Sequence, residues 1–296
     1  MRYVGRFAPS PTGPLHLGSI VTAVGSFLHA RQAGGEWLVR IEDIDPPREV
    51  PGAAANILRT LETLGLEWDR SVLYQSSRHA AYGEAIERLF RAGHAFRCDC
   101  SRSAVRAAND ATPGRYPGTC RDKALTSPDT AVRVRVAEPS LIRFSDGLQG
   151  EQATRLDATT GDYIVLRRDG LPAYHLAVVL DDASQGVTTV VRGMDLLDST
   201  PAHVHLQGLL GVPTPAYWHL PIVVNAEGQK LSKQTGAPSV HAGDSRIAVL
   251  ALELLGLTVP AELMAEPPRA LWRWAQSRWR IESLRGRSAV TEPRRE

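Results

Sequence analysis

Two loops in this sequence concentrate residue types that handle phosphates. The first runs Ala8-Pro9-Ser10-Pro11-Thr12-Gly13-Pro14-Leu15-His16-Leu17-Gly18-Ser19. A loop between a strand and a helix presents backbone N–H groups to an anion, and its glycines let the backbone approach closely. His16 adds a hydrogen-bond donor at the mouth of that helix. Gly13 and Gly18 have the separation of a Walker A loop, but Ser19 stands where that loop needs lysine. The spacing of a dinucleotide fingerprint is also missing. A Pro-Gly turn that merely caps a helix is the competing reading, and the loop by itself leaves both open.

The second loop, Gln229-Lys230-Leu231-Ser232-Lys233-Gln234, follows the turn Asn225-Ala226-Glu227-Gly228. Two lysines three apart can gather a polyphosphate; a solvated charged loop is the ordinary alternative. Scarcity favours function. Of the 34 basic residues only three are lysines (Lys123, Lys230 and Lys233), and two of them fall here. Arginine does not replace lysine where a compact, mobile point charge is required.

A third cluster holds every cysteine of the chain: Cys98, Cys100 and Cys120. Three thiols do not make a disulfide framework in a chain of this length. Three thiolates do make most of a tetrahedral zinc site, with Asp99, Asp110 and His94 as neighbours able to complete it. Free, buried thiols are the bland alternative.

Elements must position these loops. Strands are expected at Tyr3–Phe7 and Trp37–Ile41, with helices at Ser19–Gln32, Pro51–Gly65 and Arg78–Gly93, several closed by glycine. Strand, loop, helix, strand, helix is the opening of a parallel α/β sheet. Residues 98–123 break the rhythm, and residues 107–128 read as a mobile loop. Further strands are expected at Val132–Val136, Leu141–Phe144, Ile164–Arg167, Thr188–Val191 and His219–Val224. Helices follow at Thr200–Leu210, Ile247–Leu255 and Ala270–Ile281, and a frayed polar tail over Arg285–Glu296. His203 and His205 read as structural. Arg269–Arg287 mixes six arginines with Trp272, Trp274 and Trp279. That pattern fits an amphipathic helix capping the core better than a surface that stacks on bases.

With 43% hydrophobic and 22% charged residues the chain is neither fibrous nor wholly disordered. No apolar run approaches the ~20 residues of a membrane span, and no apolar signal stretch follows Met1, so a cytoplasmic protein is expected. A net charge of +2 neither announces nor excludes a nucleic-acid partner, because local patches decide.

Taken together, the two phosphate-type loops resemble the paired signature motifs of class I aminoacyl-tRNA synthetases, in the glutamyl and glutaminyl branch. Arg40-Ile41-Glu42-Asp43-Ile44-Asp45, Pro172 to Asp182 and Val191 to Leu197 agree with that branch, so the resemblance spans roughly residues 3–240. Two spellings depart: Ser19 replaces a second histidine, and Gln234 replaces a final serine. The lost histidine should slow the reaction rather than abolish it. About sixty residues follow Lys233, too few for a large anticodon-reading domain, and the run from Ile41 to Arg48 agrees. On this count the chain resembles the glutamyl-Q tRNA(Asp) synthetase family, which attaches glutamate to queuosine in the anticodon loop of tRNA(Asp).

The resemblance implies an α/β fold: a Rossmann-like parallel sheet with an inserted zinc-binding, β-rich subdomain and a short helical C-terminal part. The implied division is 1–97 and 166–240 for the two halves of the catalytic domain, 98–165 for the insert and 241–296 for the helical end and tail. It implies ATP with Mg2+, L-glutamate and queuosine-bearing tRNA(Asp) as partners, one structural Zn2+ per chain, and a monomer. By the same resemblance His16, Gly18, Lys230 and Lys233 bind ATP, with His16 and the lysines catalytic. Arg6, Phe7, Ala8, Pro9, Ser10, Glu42, Tyr174 and Arg192 form the glutamate pocket, with Glu42 for the ammonium and Arg192 or Arg6 for the side-chain carboxylate. Tyr116 joins Cys98, Cys100 and Cys120 at the metal. On the residues alone, Arg40, Glu42 and Asp43 would read instead as a surface ion-pair network. A shortened glutamyl-tRNA synthetase charging a tRNA 3′ end and a non-catalytic RNA-binding paralogue remain the alternatives.

Overall fold

The computed structural model describes residues 2–108, 115–231, 246–264 and 266–293. Asp110, Lys233 and Gln234 lie outside the described residues.

The first half runs β1 (Val4–Phe7), α1 (Leu17–Gln32), β2 (Glu36–Ile41), α2 (Ala53–Thr63), β3 (Leu73–Tyr74) and α3 (His79–Arg91). The middle runs β4 (Ala95–Cys98), α4 (Arg102–Ala107), β5 (Ala131–Val134), β6 (Leu141–Asp146), β7 (Gly150–Arg155), α5 (Leu156–Thr159) and β8 (Ile164–Leu166). Then come α6 (Tyr174–Gln185), β9 (Thr189–Gly193), α7 (Thr200–Leu210), β10 (Ala216–Leu220), β11 (Ile222–Val224), α8 (Arg246–Leu254), α9 (Pro268–Arg278) and β12 (Ala289–Thr291).

β1, β2 and β3 pair in parallel, as do β9 and β10. Thr188 N–H donates to Val4 O at 2.9 Å, which sets β9 beside β1 and makes the two groups neighbours. α1 is buried along most of its length because α8 and α9 cover the side that faces away from the strands. α3, α6 and α7 build a second apolar core with β5 and β8. This is a three-layer α/β arrangement, and because both faces are covered its parallel strands are buried nearly throughout, Arg6, Arg40, Arg192 and His219 included. β1 and β9 are adjacent but connect in different directions, so their carboxyl ends leave a crevice between loops.

The 98–165 segment, expected as one insert, distributes its strands between two sheets. β4, β5 and β8 form a small antiparallel sheet. The hairpin β6–β7 instead joins the edge of the parallel sheet, with Asp146 opposite Tyr217 of β10. Within the stretch expected as a mobile loop, Tyr116 and Cys120 are buried. The strand expected over His219–Val224 breaks at Pro221, which has no N–H to give a ladder. The tail is not frayed at its described end: β12 pairs in parallel with β11, and Glu292 N–H donates to Val224 O at 2.8 Å. α9 caps the core as its pattern suggests, with Trp272 Nε1 donating to Leu64 O at 2.7 Å and Trp279 fully buried.

Candidate active site

The crevice at the carboxyl ends of β1 and β9 is a cleft of about 570 Å3. All the described residues of the two expected sets line it: Arg6, Phe7, Ala8, Pro9, Ser10, Glu42, Tyr174 and Arg192, with His16, Gly18 and Lys230.

Arg6 projects from β1 and is almost fully buried. Its Nε and Nη2 donate to the two oxygens of Asp182, at 3.0 and 3.4 Å. Nη1 makes no hydrogen bond among the described residues and stays available to the cleft. Below it, Arg40 of β2 is wholly buried and donates to Asp182 at 2.7 Å and to Gln185 at 2.8 Å. Arg40 also pairs with Glu42 at 3.6 Å. The surface-network reading is therefore corrected for Arg40 and Glu42, which pair out of solvent because β2 lies between β1 and β3, while Asp43 stays part-exposed and bonds Ser76 instead. Burial would raise the Asp182 carboxyl, but the two guanidinium groups outweigh it and hold it below the ordinary range. Burial wins at Glu42 and pushes its carboxyl up, against the pull of Arg40 and Arg6. An ammonium entering beside Glu42 would pull its carboxyl back down.

Arg192, at the end of β9, is 3% exposed. Its Nη1 donates to Tyr174 Oη at 3.2 Å and to His203 Nδ1 at 3.3 Å. Nη2 donates to Thr200 Oγ1 at 2.8 Å and to Leu196 O at 3.2 Å, and Nε to His219 Nε2 at 3.0 Å. His203 is thus not an isolated helix histidine but part of the wall behind the cleft. Burial and the charge of Arg192 hold its imidazole well below the ordinary range.

On the other side of the cleft His16 caps α1. Its Nδ1 accepts the Ser19 N–H at 3.3 Å, and its Nε2 lies 3.1 Å from Ser19 Oγ. The residue that replaces the second histidine therefore braces the first. A Cβ on Gly18 would lie 3.2 Å from Cε1 and Nδ1 of His16, so glycine here leaves the ring its place. Lys230 Nζ donates to Asp195 Oδ2 at 2.6 Å across the cleft mouth. The loop that carries it is tied back to β11 by Leu231 N–H donating to Val223 O at 2.8 Å.

Away from the cleft, the sulfurs of Cys98, Cys100 and Cys120 lie within 4.8 Å of one another. Tyr116 Oη is 3.4 Å from Cys98 Sγ and 3.8 Å from Cys100 Sγ, while Asp99 Oδ1 is 3.0 Å from Cys120 Sγ. Three thiols at one point supply three of the four ligands of a tetrahedral zinc ion, and the Tyr116 hydroxyl beside them accepts the Cys120 N–H at 2.8 Å. The hydroxyl of Tyr116 and the guanidinium of Arg133 pull the Cys98 thiol below its ordinary range against the effect of burial. Burial and Asp99 push Cys120 up to about 11.

Sequence reasoning missed Asp182, Asp195, Asp146 and His219. Asp182 and Asp195 fall inside the stretches that carry the resemblance; nothing in the spacing of Asp146 and His219 points to the site.

Comparison with known proteins agrees with this geometry. Residues 3–262 match the family model for the catalytic domain of class I tRNA synthetases of the E and Q type. The chain is 51% identical to the glutamyl-Q tRNA(Asp) synthetase of Thiobacillus denitrificans over 98% of this chain and 97% of that protein. It is 52% identical to that of Aromatoleum aromaticum, over 94% of this chain and 89% of that one. A glutamate tRNA ligase from Elizabethkingia meningosepticum has the same fold, with a TM-score of 0.82 at 24% identity, covering 99% of this chain and 67% of that one. No helix among the described residues is long and apolar enough to cross a membrane. The chain belongs to the class I tRNA synthetases of the glutamate and glutamine type, in the glutamyl-Q tRNA(Asp) synthetase family, and is a ligase.

Proposed function

We propose that the chain activates L-glutamate with ATP and transfers it to queuosine in the anticodon loop of tRNA(Asp). The observation that carries the first step is the cleft, where buried Arg6 and Arg192, Glu42, and the His16 and Lys230 loops meet. The queuosine step is supported by relatives of 47–52% identity that carry that name over nearly their whole length.

In the first step an oxygen of the glutamate α-carboxylate attacks the α-phosphorus of ATP. The bond from that phosphorus to the β-phosphate bridging oxygen breaks, and pyrophosphate leaves. The nucleophile is already an anion, so the protein positions groups and neutralises charge rather than moving a proton. Arg192, together with Nη1 of Arg6, takes the side-chain carboxylate, and Glu42 takes the ammonium. Glutamine would leave an arginine N–H poorly paired, at a cost of about 1–3 kcal/mol. His16 and Lys230 face the phosphates, Lys230 leaving Asp195 to do so, and the motif resemblance assigns Lys233 to the same role. Magnesium bound with the nucleotide would neutralise part of the phosphate charge.

Two expected outcomes test the parts. Gly18→Ala forces the His16 ring aside, at an off-rotamer cost of about 0.5–1.5 kcal/mol. The KM for ATP should rise several-fold while the KM for glutamate stays put; equal KM values would remove His16 from the nucleotide site. Zinc held by Cys98, Cys100, Tyr116 and Cys120 would tie the end of β4 to the segment around Cys120 and supply no chemistry to the cleft. Metal analysis should find one zinc per chain, and less in Cys120→Ser, with a lowered thermal midpoint.

The whole reading is tested by transferring labelled glutamate to bulk tRNA from cells that make queuosine and from cells that cannot. Label on the queuosine-containing tRNA alone is expected. Equal label on both would mean charging of a 3′ end. No label on either, with no glutamate-dependent ATP–pyrophosphate exchange, would mean a binding protein rather than this ligase.

A further inference from the structure

The two arginines of the cleft are held in different ways. Arg6 touches a carboxylate directly, at Asp182. Arg192 makes no ion pair with any described residue, although it is equally buried. All five of its N–H bonds nevertheless find acceptors: Tyr174, His203, Thr200, Leu196 O and His219. An arginine Nε–H can only donate, so Nε2 of His219 must be the bare nitrogen of a neutral ring and Nδ1 must carry the proton. That proton goes to Asp146 Oδ2, 2.5 Å away.

Asp146 is itself fixed. Its Oδ1 accepts N–H bonds from Leu148 at 3.0 Å, Gln149 at 2.9 Å and His219 at 3.3 Å. The β6–β7 hairpin touches β10 at this point, opposite Tyr217. Neither Asp146 nor His219 lines the cleft. Both side chains are fully buried, so each pair of partners meets without competition from water.

We propose that Asp146 and His219 are a positioning pair that aligns Arg192 through a neutral imidazole, holding the guanidinium for an anionic substrate without bringing a carboxylate into contact with it. The spacer matters because a carboxylate against the guanidinium cancels much of its field, whereas one an imidazole further away cancels less. The pair takes hold of the Nε edge. The Nη1 bonds to Tyr174 and His203 are the longest side-chain bonds Arg192 makes, and Tyr174 lines the cleft. That edge is the one a substrate carboxylate can take over. Such relays are known to fix ring orientation where a histidine must present one defined nitrogen.

The inference rests on the reading of Arg192 as a glutamate contact, and the experiment separates the two. KM values for glutamate and for ATP are measured by ATP–pyrophosphate exchange in Arg192→Ala, Asp146→Asn, His219→Leu and His219→Gln. Asp146→Asn keeps the shape, but its amide donates to Nδ1 and reverses the tautomer, so two N–H groups face each other at Arg192. It and His219→Leu should raise the KM for glutamate on the order of 10- to 100-fold, with the KM for ATP unchanged. His219→Gln should stay close to the parent protein, because an amide nitrogen and oxygen are spaced much as the two ring nitrogens are. Glutamate KM values in Asp146→Asn and His219→Leu equal to the parent's, with Arg192→Ala impaired, would overturn the positioning pair. An Arg192→Ala protein with an unchanged glutamate KM would overturn the cleft reading instead. A KM for ATP that rises in step would show a general loss of structure and also overturn the pair. If Asp146→Asn fails to fold, the comparison of His219→Gln with His219→Leu decides, equal glutamate KM values again overturning it.

Discussion

Asp182→Ala is expected to lower folding stability by about 3–5 kcal/mol, the range for breaking a buried ion pair by removing one partner. The case is stronger than an ordinary pair, because Asp182 serves two buried arginines. Buried Arg6 would lose its carboxylate partner, and Arg40 would keep only Gln185 and Glu42 as direct partners. Chemical denaturation of the parent and the variant measures the difference; a loss under 1 kcal/mol would show that water reaches these groups. The acid side of the stability curve gives an independent check. Unfolded aspartate titrates near 4, and the folded Asp182 carboxyl lies below that. Its contribution is therefore complete above about pH 4 and is lost as the pH falls toward the folded value. The gap between parent and variant should narrow over that interval and not on the alkaline side.

His16→Ala is expected to slow glutamate-dependent ATP–pyrophosphate exchange by about 10²–10³-fold, the usual cost of one preorganised donor to a developing anion. It also removes a helix cap, since His16 accepts the Ser19 N–H at the start of α1. Loss of a cap costs about 0.5–2 kcal/mol. The two effects separate in His16→Asn. Asparagine caps well, so stability should return while exchange stays slow. Recovery of both would mean that His16 matters only as a cap.

The loops and the elements beside them were legible because each is a local pattern. Glycine closes α2 and α3 just after a run of helical spacing, and the β1 loop carries its proline and glycine in plain view. Other features depend on partners far away in the chain. α6 reads as an apolar run around Val178 and Val179, and its helical state follows from packing between α3 and α7. β12 is three residues of a polar tail and becomes a strand only because β11 offers an edge. The burial of Arg40 follows from the place of β2 between β1 and β3, which spacing does not reveal. Asp146, Arg192 and His219 sit on β6, β9 and β10, so only the order of strands in the sheet brings them together.

That same late strand has a practical meaning for anyone who expresses this protein. The lysine loop hangs from β11, and β11 is flanked by residues 288–292. Gly286 N–H donates to Leu148 O, and Ile222 N–H to Ser288 O, so the last described residues are stitched into the sheet beside the nucleotide loop. Removing residues 286–293 would strip β11 of its partner strand and so disturb the lysine loop that hangs from it.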